Sequence, residues 1–247
     1  SAHPDWAITD RQGDFFDYGV PYKKAFFDPA NPEVQRYLLS LVEEIVTRYK
    51  VDGVQLDYIR YPFQDPKTNQ TFGYSKISRQ QFQQIAGVDP IEISPTHPLW
   101  SQWTGFRIRQ VDNFVQAVST KLKQIRPNLI LSTAVFPIPR QERLFRLQQN
   151  WEEWGRNGWV DMIVLMTYAL DTGSLEERTQ LLFEDPSLTG PALLIPGMRL
   201  LNVPDRVTID QVQFLRNLPA GGYALFAAEN FSPNLQSIFR RTQGPLN

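Results

Sequence analysis

Four chemically capable side chains crowd the end of one short apolar run. In "VDGVQLDYIRYP", residues 51–62, a β-forming stretch that starts at Val54 finishes in Asp57, Tyr58, Arg60 and Tyr61. A carboxylate among phenols and a guanidinium can grip a hydroxyl-rich substrate. With a second carboxyl group it can also cleave a glycosidic bond, one group protonating the leaving oxygen while the other attacks the anomeric carbon or activates water. Other apolar runs end in a similar way: "VLMTYALD" delivers Thr167, Tyr168 and Asp171, "LFAAEN" delivers Glu229 and Asn230, and "STAVFPIPRQE" adds Phe136, Arg140 and Glu142. The candidate catalytic pair is Asp57 with either Glu229 or Asp171. An Asp57 locked to Arg60 as an ion pair, or used as a cap, is the structural alternative.

These residues matter as a group only if one framework gathers them. Asn31 and Pro32 open a helix to about Tyr49, with Val34, Leu38, Leu41, Val42, Ile45 and Tyr49 as its expected buried face. Asp52 and Gly53 turn the chain into the strand that ends at Asp57. The step repeats: Val111, Phe114, Val115, Val118, Leu122 and Ile125 mark a second helix that stops at Pro127, and "LILSTAVF" follows as a strand. A helix over about Glu142–Arg156 precedes "VDMIVLMTY"; Ser174 with Glu177 reads as a capping box before "ALLIPG"; Thr208 caps a helix before "GYALFAAENF"; Ser232-Pro233 opens the last helix. Alternation of helix and buried strand predicts an α/β fold of the (β/α)8 TIM-barrel type, whose chemistry gathers at the C-terminal ends of the strands. Asp161 precedes its strand and belongs to the opposite, structural end.

Five runs read as strands, near positions 54, 130, 161, 193 and 223, whereas a closed barrel has eight. The expectation is one domain over 1–247, a partial barrel lacking its first strands, with open edges that call for cover by self-association or another partner. Residues 62–103 form a connection long enough to be a functional loop or subdomain. Trp6, Tyr18, Tyr22, Tyr58, Tyr61, Tyr74, Trp100, Trp103 and Tyr168 fall mostly in loops or at strand ends, where aromatic faces can stack on sugar rings.

The 247 residues carry 25 Lys and Arg against 26 Asp and Glu, without a basic stripe, so nucleic acid is not an expected partner. No stretch is apolar enough for a membrane span, and no signal peptide is present in this chain. The chain has no cysteine, and its two histidines, His3 and His97, each precede proline without metal-ligand spacing. No metal and no cofactor are expected, and a metal-dependent deacetylase-like reading fails for want of a ligand cluster. Phosphate-loop, nucleophile-elbow and dinucleotide motifs are missing as well.

"HPDW" from His3, "FFDPANPEVQRYL" from Phe26, "RYKVDGVQLDYIRYP" from Arg48, "FGYS" from Phe72 and "WVDMIVLMTY" from Trp159 together resemble the bacterial glycosyl-hydrolase-like family ten proteins. That resemblance implies a TIM barrel, export or association with the cell envelope, and action on glycans, including peptidoglycan strands stripped of peptides. It implies further that Asp57 is the acidic residue ending the fourth barrel strand, and that this chain begins inside the fold, without the first three βα units. At "WTGFR" members often carry Trp-Arg-Arg, so Trp103 and Arg107 correspond only loosely. The resulting expectation is a glycoside hydrolase acting on a polysaccharide or a peptidoglycan glycan strand, with a non-catalytic glycan-binding barrel as the alternative. Asp57 would be nucleophile or stabiliser, Glu229 or Asp171 acid/base, and Tyr58, Arg60, Tyr61 and Tyr168 would orient the sugar, with Trp6, Trp103 and Asn230 as further binding candidates.

Overall fold

A computed structural model of the chain describes residues 3–15, 25–185 and 188–242. Tyr18 and Tyr22 lie outside the described residues. Five parallel strands run in sequence order across one sheet: β1 (Gly53–Leu56), β2 (Ile130–Val135), β3 (Met162–Leu165), β4 (Leu193–Arg199) and β5 (Ala224–Phe226). The sheet is a half-barrel, not a closed ring. Its register is tight at the start of β1, where a Cβ on Gly53 would fall 2.3 Å from the Ile130 carbonyl oxygen. Only glycine lets those two strands approach.

Helices cross over between the strands. α1 (Pro32–Arg48) is capped by Asn31, whose side chain accepts from the Glu33 amide, and it leads into β1. α3 (Trp100–Ile125) packs beside it and leads into β2, burying Val111, Val115, Val118 and Leu122 against Leu131, Ile163 and Leu165. Burial of that order, roughly 2 kcal/mol per large aliphatic side chain, holds the layers together. The expected buried face of α1 is realised only in part. Val34, Val42 and Val46 are buried, whereas Leu41, Ile45 and Tyr49 are exposed, and among the described residues no strand pairs with the other side of β1.

Three local expectations change. The single helix over Glu142–Arg156 is two, α4 (Arg140–Arg146) and α5 (Trp151–Arg156), parted at Gln148, which adopts φ +53°. α6 (Thr172–Thr179) begins two residues before Ser174: Asp171 is its N-cap and accepts from the Ser174 amide and hydroxyl, both at 2.8 Å. Thr208 lies inside α7 (Asp205–Leu215), which starts after Pro204, and its hydroxyl reaches back to that carbonyl. The final helix, α8 (Pro233–Thr242), opens as expected, with Ser232 accepting from the Leu235 amide.

The long connection from β1 to α3 carries α2 (Lys76–Ala86) and has its own core, in which Phe82, Ile93, Trp103 and Phe106 are fully buried. Bonds from Gly73 and Tyr74 amides to the Thr9 carbonyl tie it to the chain's first segment. No helix among the described residues is long and apolar enough to cross a membrane.

Candidate active site

β1 ends at Leu56, and the chain turns at once. Tyr58 is held at φ +53°, a left-handed conformation that costs a bulky residue about 1 kcal/mol or more, and its amide donates to Asp57 Oδ1 at 2.7 Å. The turn leaves Asp57 exposed at the C-terminal end of β1, where it lines a cleft with the other strand ends. Arg60 follows with its Nη1 donating to the Tyr61 carbonyl at 3.0 Å, while the guanidinium lies 5.2–5.3 Å from the ring centres of Phe26, Tyr58, Phe63 and Phe136. Asp57 and Arg60 form no ion pair. The locked pair that would mark Asp57 as structural is therefore not what this turn builds.

Across the sheet the other strand ends complete a cleft of about 320 Å³. Small residues make its room: Ala134, Gly197 and Ala224 line the wall, and a Cβ on Gly197 would stand 2.7 Å from the Leu165 carbonyl. Tyr168 lies opposite, stacked on Phe226 at 5.5 Å between ring centres and 15° between planes. Its hydroxyl pKa is raised by burial first and by the Asp57 carboxylate second, so Tyr168 is a neutral donor in the field of that carboxylate. Thr167 stays below the rim, its hydroxyl donating to the Gly197 carbonyl at 2.9 Å.

Asp57, Tyr58, Arg60, Phe136 and Tyr168 are brought together; the other candidates are not. Asp171 caps α6, and its backbone and hydroxyl donors hold its carboxyl below the usual range. Glu229 and Asn230 occupy a short 3-10 turn after β5; Glu229 is exposed, and neither lines the cleft. Tyr61 is fully buried, because its amide donates to the Leu147 carbonyl and draws it under the insertion. Trp103 is sealed in the insertion core between Tyr74, Phe82 and Phe106. Trp6 stacks on His3 at 4.2 Å near Tyr37, outside the cleft. Arg140 and Glu142 begin α4, where Glu142 pairs with Arg146 at 2.8 Å. Phe136 lines the cleft and Asp161 ties β2 to β3 at the far end, accepting from the Leu131 amide at 2.8 Å.

Two participants escaped sequence reasoning. Phe226, the stacking partner of Tyr168, follows an apolar run and carries no chemical label. Gln149 lies in an irregular stretch, yet its Oε1 accepts from the Phe136 amide and its Nε2 donates to the Ile59 carbonyl, fastening two rim loops. Among the described lining residues Asp57 is the only carboxylate. No group of three or more His, Asp or Glu among the described residues could hold a metal ion.

A parallel α/β half-barrel whose strands end at one common rim defines a protein of the TIM-barrel type. Residues 1–192 match the family model "Glycosyl hydrolase-like 10", and the chain belongs to that family. Glycosyl hydrolase DigH of Escherichia coli strain K12 is 40% identical over 73 residues, 28% of this chain and 14% of that protein. An S-layer-related protein of Niallia circulans is 28% identical over 108 residues, 38% of this chain and 6% of that one. The chain thus aligns with only a small part of either relative's length. In fold it is similar to an exo-beta-agarase (TM-score 0.54, 14% identity), covering 87% of this chain and 35% of that one. It is similar also to the beta-galactosidase of the psychrophilic Marinomonas ef1 (TM-score 0.60, 13% identity), covering 91% and 41%.

Proposed function

We propose that this chain belongs to a glycoside hydrolase that cleaves O-glycosyl bonds in a polysaccharide or a peptidoglycan glycan strand outside the cytoplasm. The observation that carries the reading is Asp57, an exposed carboxylate free of Arg60, at the rim of a cleft walled by Tyr58, Tyr168 and Phe226. Family membership and the glycosidase-like fold support the reaction class. In this reading Asp57 attacks the anomeric carbon or stabilises the positive charge that develops there, and the protonated Tyr168 hydroxyl holds the sugar by hydrogen bonding. Phe226 and Tyr58 offer ring faces to the C–H side of the sugar.

A second reading has an observation of its own. Hydrolysis takes two carboxyl groups, and the described cleft presents one, which favours a barrel that holds a glycan without cleaving it. Reducing-sugar release from peptide-free peptidoglycan, by the native gene product and by its Asp57→Asn variant, separates the two. Release lost in Asp57→Asn supports hydrolysis; binding without release in both supports the glycan-holding barrel.

A further inference from the structure

Asp57 is not the only polar side chain that β1 presents to the cleft. Side chains alternate along a strand, so residues two apart share a face. Val54 and Leu56 pack against the core that holds Val46 and Val115, which leaves Gln55 and Asp57 together on the other face, both exposed. Gln55 lines the cleft of about 320 Å³ and also a neighbouring cavity of about 560 Å³, as Asp57 does.

The company of Gln55 sets it apart. The other strand residues lining the cleft are Ala134, Val164, Gly197, Ala224, Leu225 and Phe226, none with a polar side-chain atom. A glutamine amide among them brings two N–H donors and an acceptor that need partners. Its structural duty is slight. Oε1 accepts from the hydroxyl of Ser132, its register partner on β2, at 3.3 Å, longer than O–H···O bonds usually are. Nε2 meets no acceptor among the described residues. The tie to Ser132 holds one end of the amide and leaves the other to the cleft.

Strand geometry sets the height of that free end. Two residues of a parallel strand span about 6.6 Å, so Gln55 stands one pleat below Asp57. Asp57 offers an acceptor at the rim and Gln55 a donor deeper in. A sugar hydroxyl can both donate and accept, so one ring can engage the two at once.

We propose that Gln55 is a substrate-binding residue of the cleft, its Nε2 donating to an oxygen on the inward edge of the sugar held at Asp57. The inference rests on the reading above only in that a glycan occupies this cleft; it applies to a hydrolase and to a glycan-holding barrel alike. It also makes the cleft selective, because a sugar without an oxygen on that edge leaves the amide unpaired.

The test is equilibrium dialysis of peptide-free peptidoglycan strands against the native gene product carrying Asp57→Asn, so that turnover does not consume the ligand. In that parent, Gln55→Leu removes the whole amide, whereas Gln55→Glu keeps the side-chain length and an acceptor for Ser132 and removes only the donor. The Kd is expected to rise about tenfold in both, with the urea midpoints unmoved. A Kd that stays within about twofold of the parent in Gln55→Glu overturns the proposal, even if Gln55→Leu binds weakly, because the tie to Ser132 is then all that matters. Gln55→Glu also decides the case if Gln55→Leu fails to fold. A parent that binds no glycan overturns the proposed function and this inference with it; glycan bound equally well by parent and Gln55 variants overturns this inference alone.

Discussion

Arg60 and Arg107 both lay a guanidinium over aromatic rings, Arg60 over Phe26, Tyr58, Phe63 and Phe136 and Arg107 over Trp100 and Trp103. Arg60 is half-buried at the rim of the cleft; Arg107 is 1% exposed in the body of the insertion. Arg107 Nη1 donates to Gln64 Oε1 at 3.0 Å and to the Phe72 carbonyl at 2.9 Å, and burial lowers its pKa from the usual value. Around it the Tyr61 and Tyr74 hydroxyls and the Trp103 indole N–H are buried without a hydrogen-bond partner among the described residues. Identical chemistry is thus used twice, once to organise a surface and once to fill an interior. What differs is solvent access, and with it the cost of removing the group.

The comparison breaks most visibly at Asp57. Asp57→Asn is expected to lower glycan hydrolysis by about a thousandfold, about 4 kcal/mol of barrier, while urea denaturation moves by less than about 1 kcal/mol. A large loss of stability instead would make the rim as structural as the insertion. Arg107→Ala should behave in the opposite sense. It abandons the acceptors on Gln64 and Phe72 and opens a cavity, at a cost of about 3 kcal/mol in urea denaturation.

A third test uses the buried side of α3. Asp112 accepts from Trp154 Nε1 at 2.5 Å and from Asn150 Nδ2 at 3.2 Å, and burial raises its pKa from 3.8 to about 6. The folded chain therefore holds a proton between pH 3.8 and 6 that the unfolded chain has released. Its contribution to stability is complete below pH 3.8 and is lost as the pH rises to about 6. Asp89, whose carboxyl is held low mainly by its hydrogen bonds to Arg79, pulls the other way as the pH falls, so the wild type alone does not isolate the effect. The difference between wild type and Asp112→Asn does. That difference should shift in favour of Asp112→Asn by at most about 3 kcal/mol from pH 4 to pH 7, in urea titrations. A flat difference would show Asp112 to be as solvated as a rim carboxylate.

Much of the framework is legible from residue pattern. The five strands and the helices α1 and α3 follow from periodicity and from Asn31, Pro32 and Pro127, because each signal is local. Asp57 is legible too, since a charge ending an apolar strand points to a rim. Tyr61 is not, because whether a residue five positions beyond the strand stays at the rim depends on Leu147, which is distant in sequence. Trp103 reads as a loop aromatic until the insertion is seen to have a core. Asp171 looks catalytic by position and is consumed by the helix it starts. On α1 the periodicity identifies an apolar stripe correctly, yet it carries no information about whether a neighbour is there to cover it.

The smallest effect discriminates most finely between the two arginines. Arg60→Lys keeps the charge and removes the planar fork that lies among four rings. If Arg60 organises the cleft for a sugar, the Kd for a peptide-free glycan strand should rise about fivefold, near 1 kcal/mol, with the denaturation midpoint almost unmoved. If Arg60 is instead a rim version of Arg107, the midpoint falls and the Kd of the folded fraction stays as it was. Asp57→Asn cannot make this distinction, because it removes the reacting group itself. Arg60→Lys leaves the carboxylate in place and changes only what surrounds it, so a shift confined to binding assigns the aromatic box to substrate.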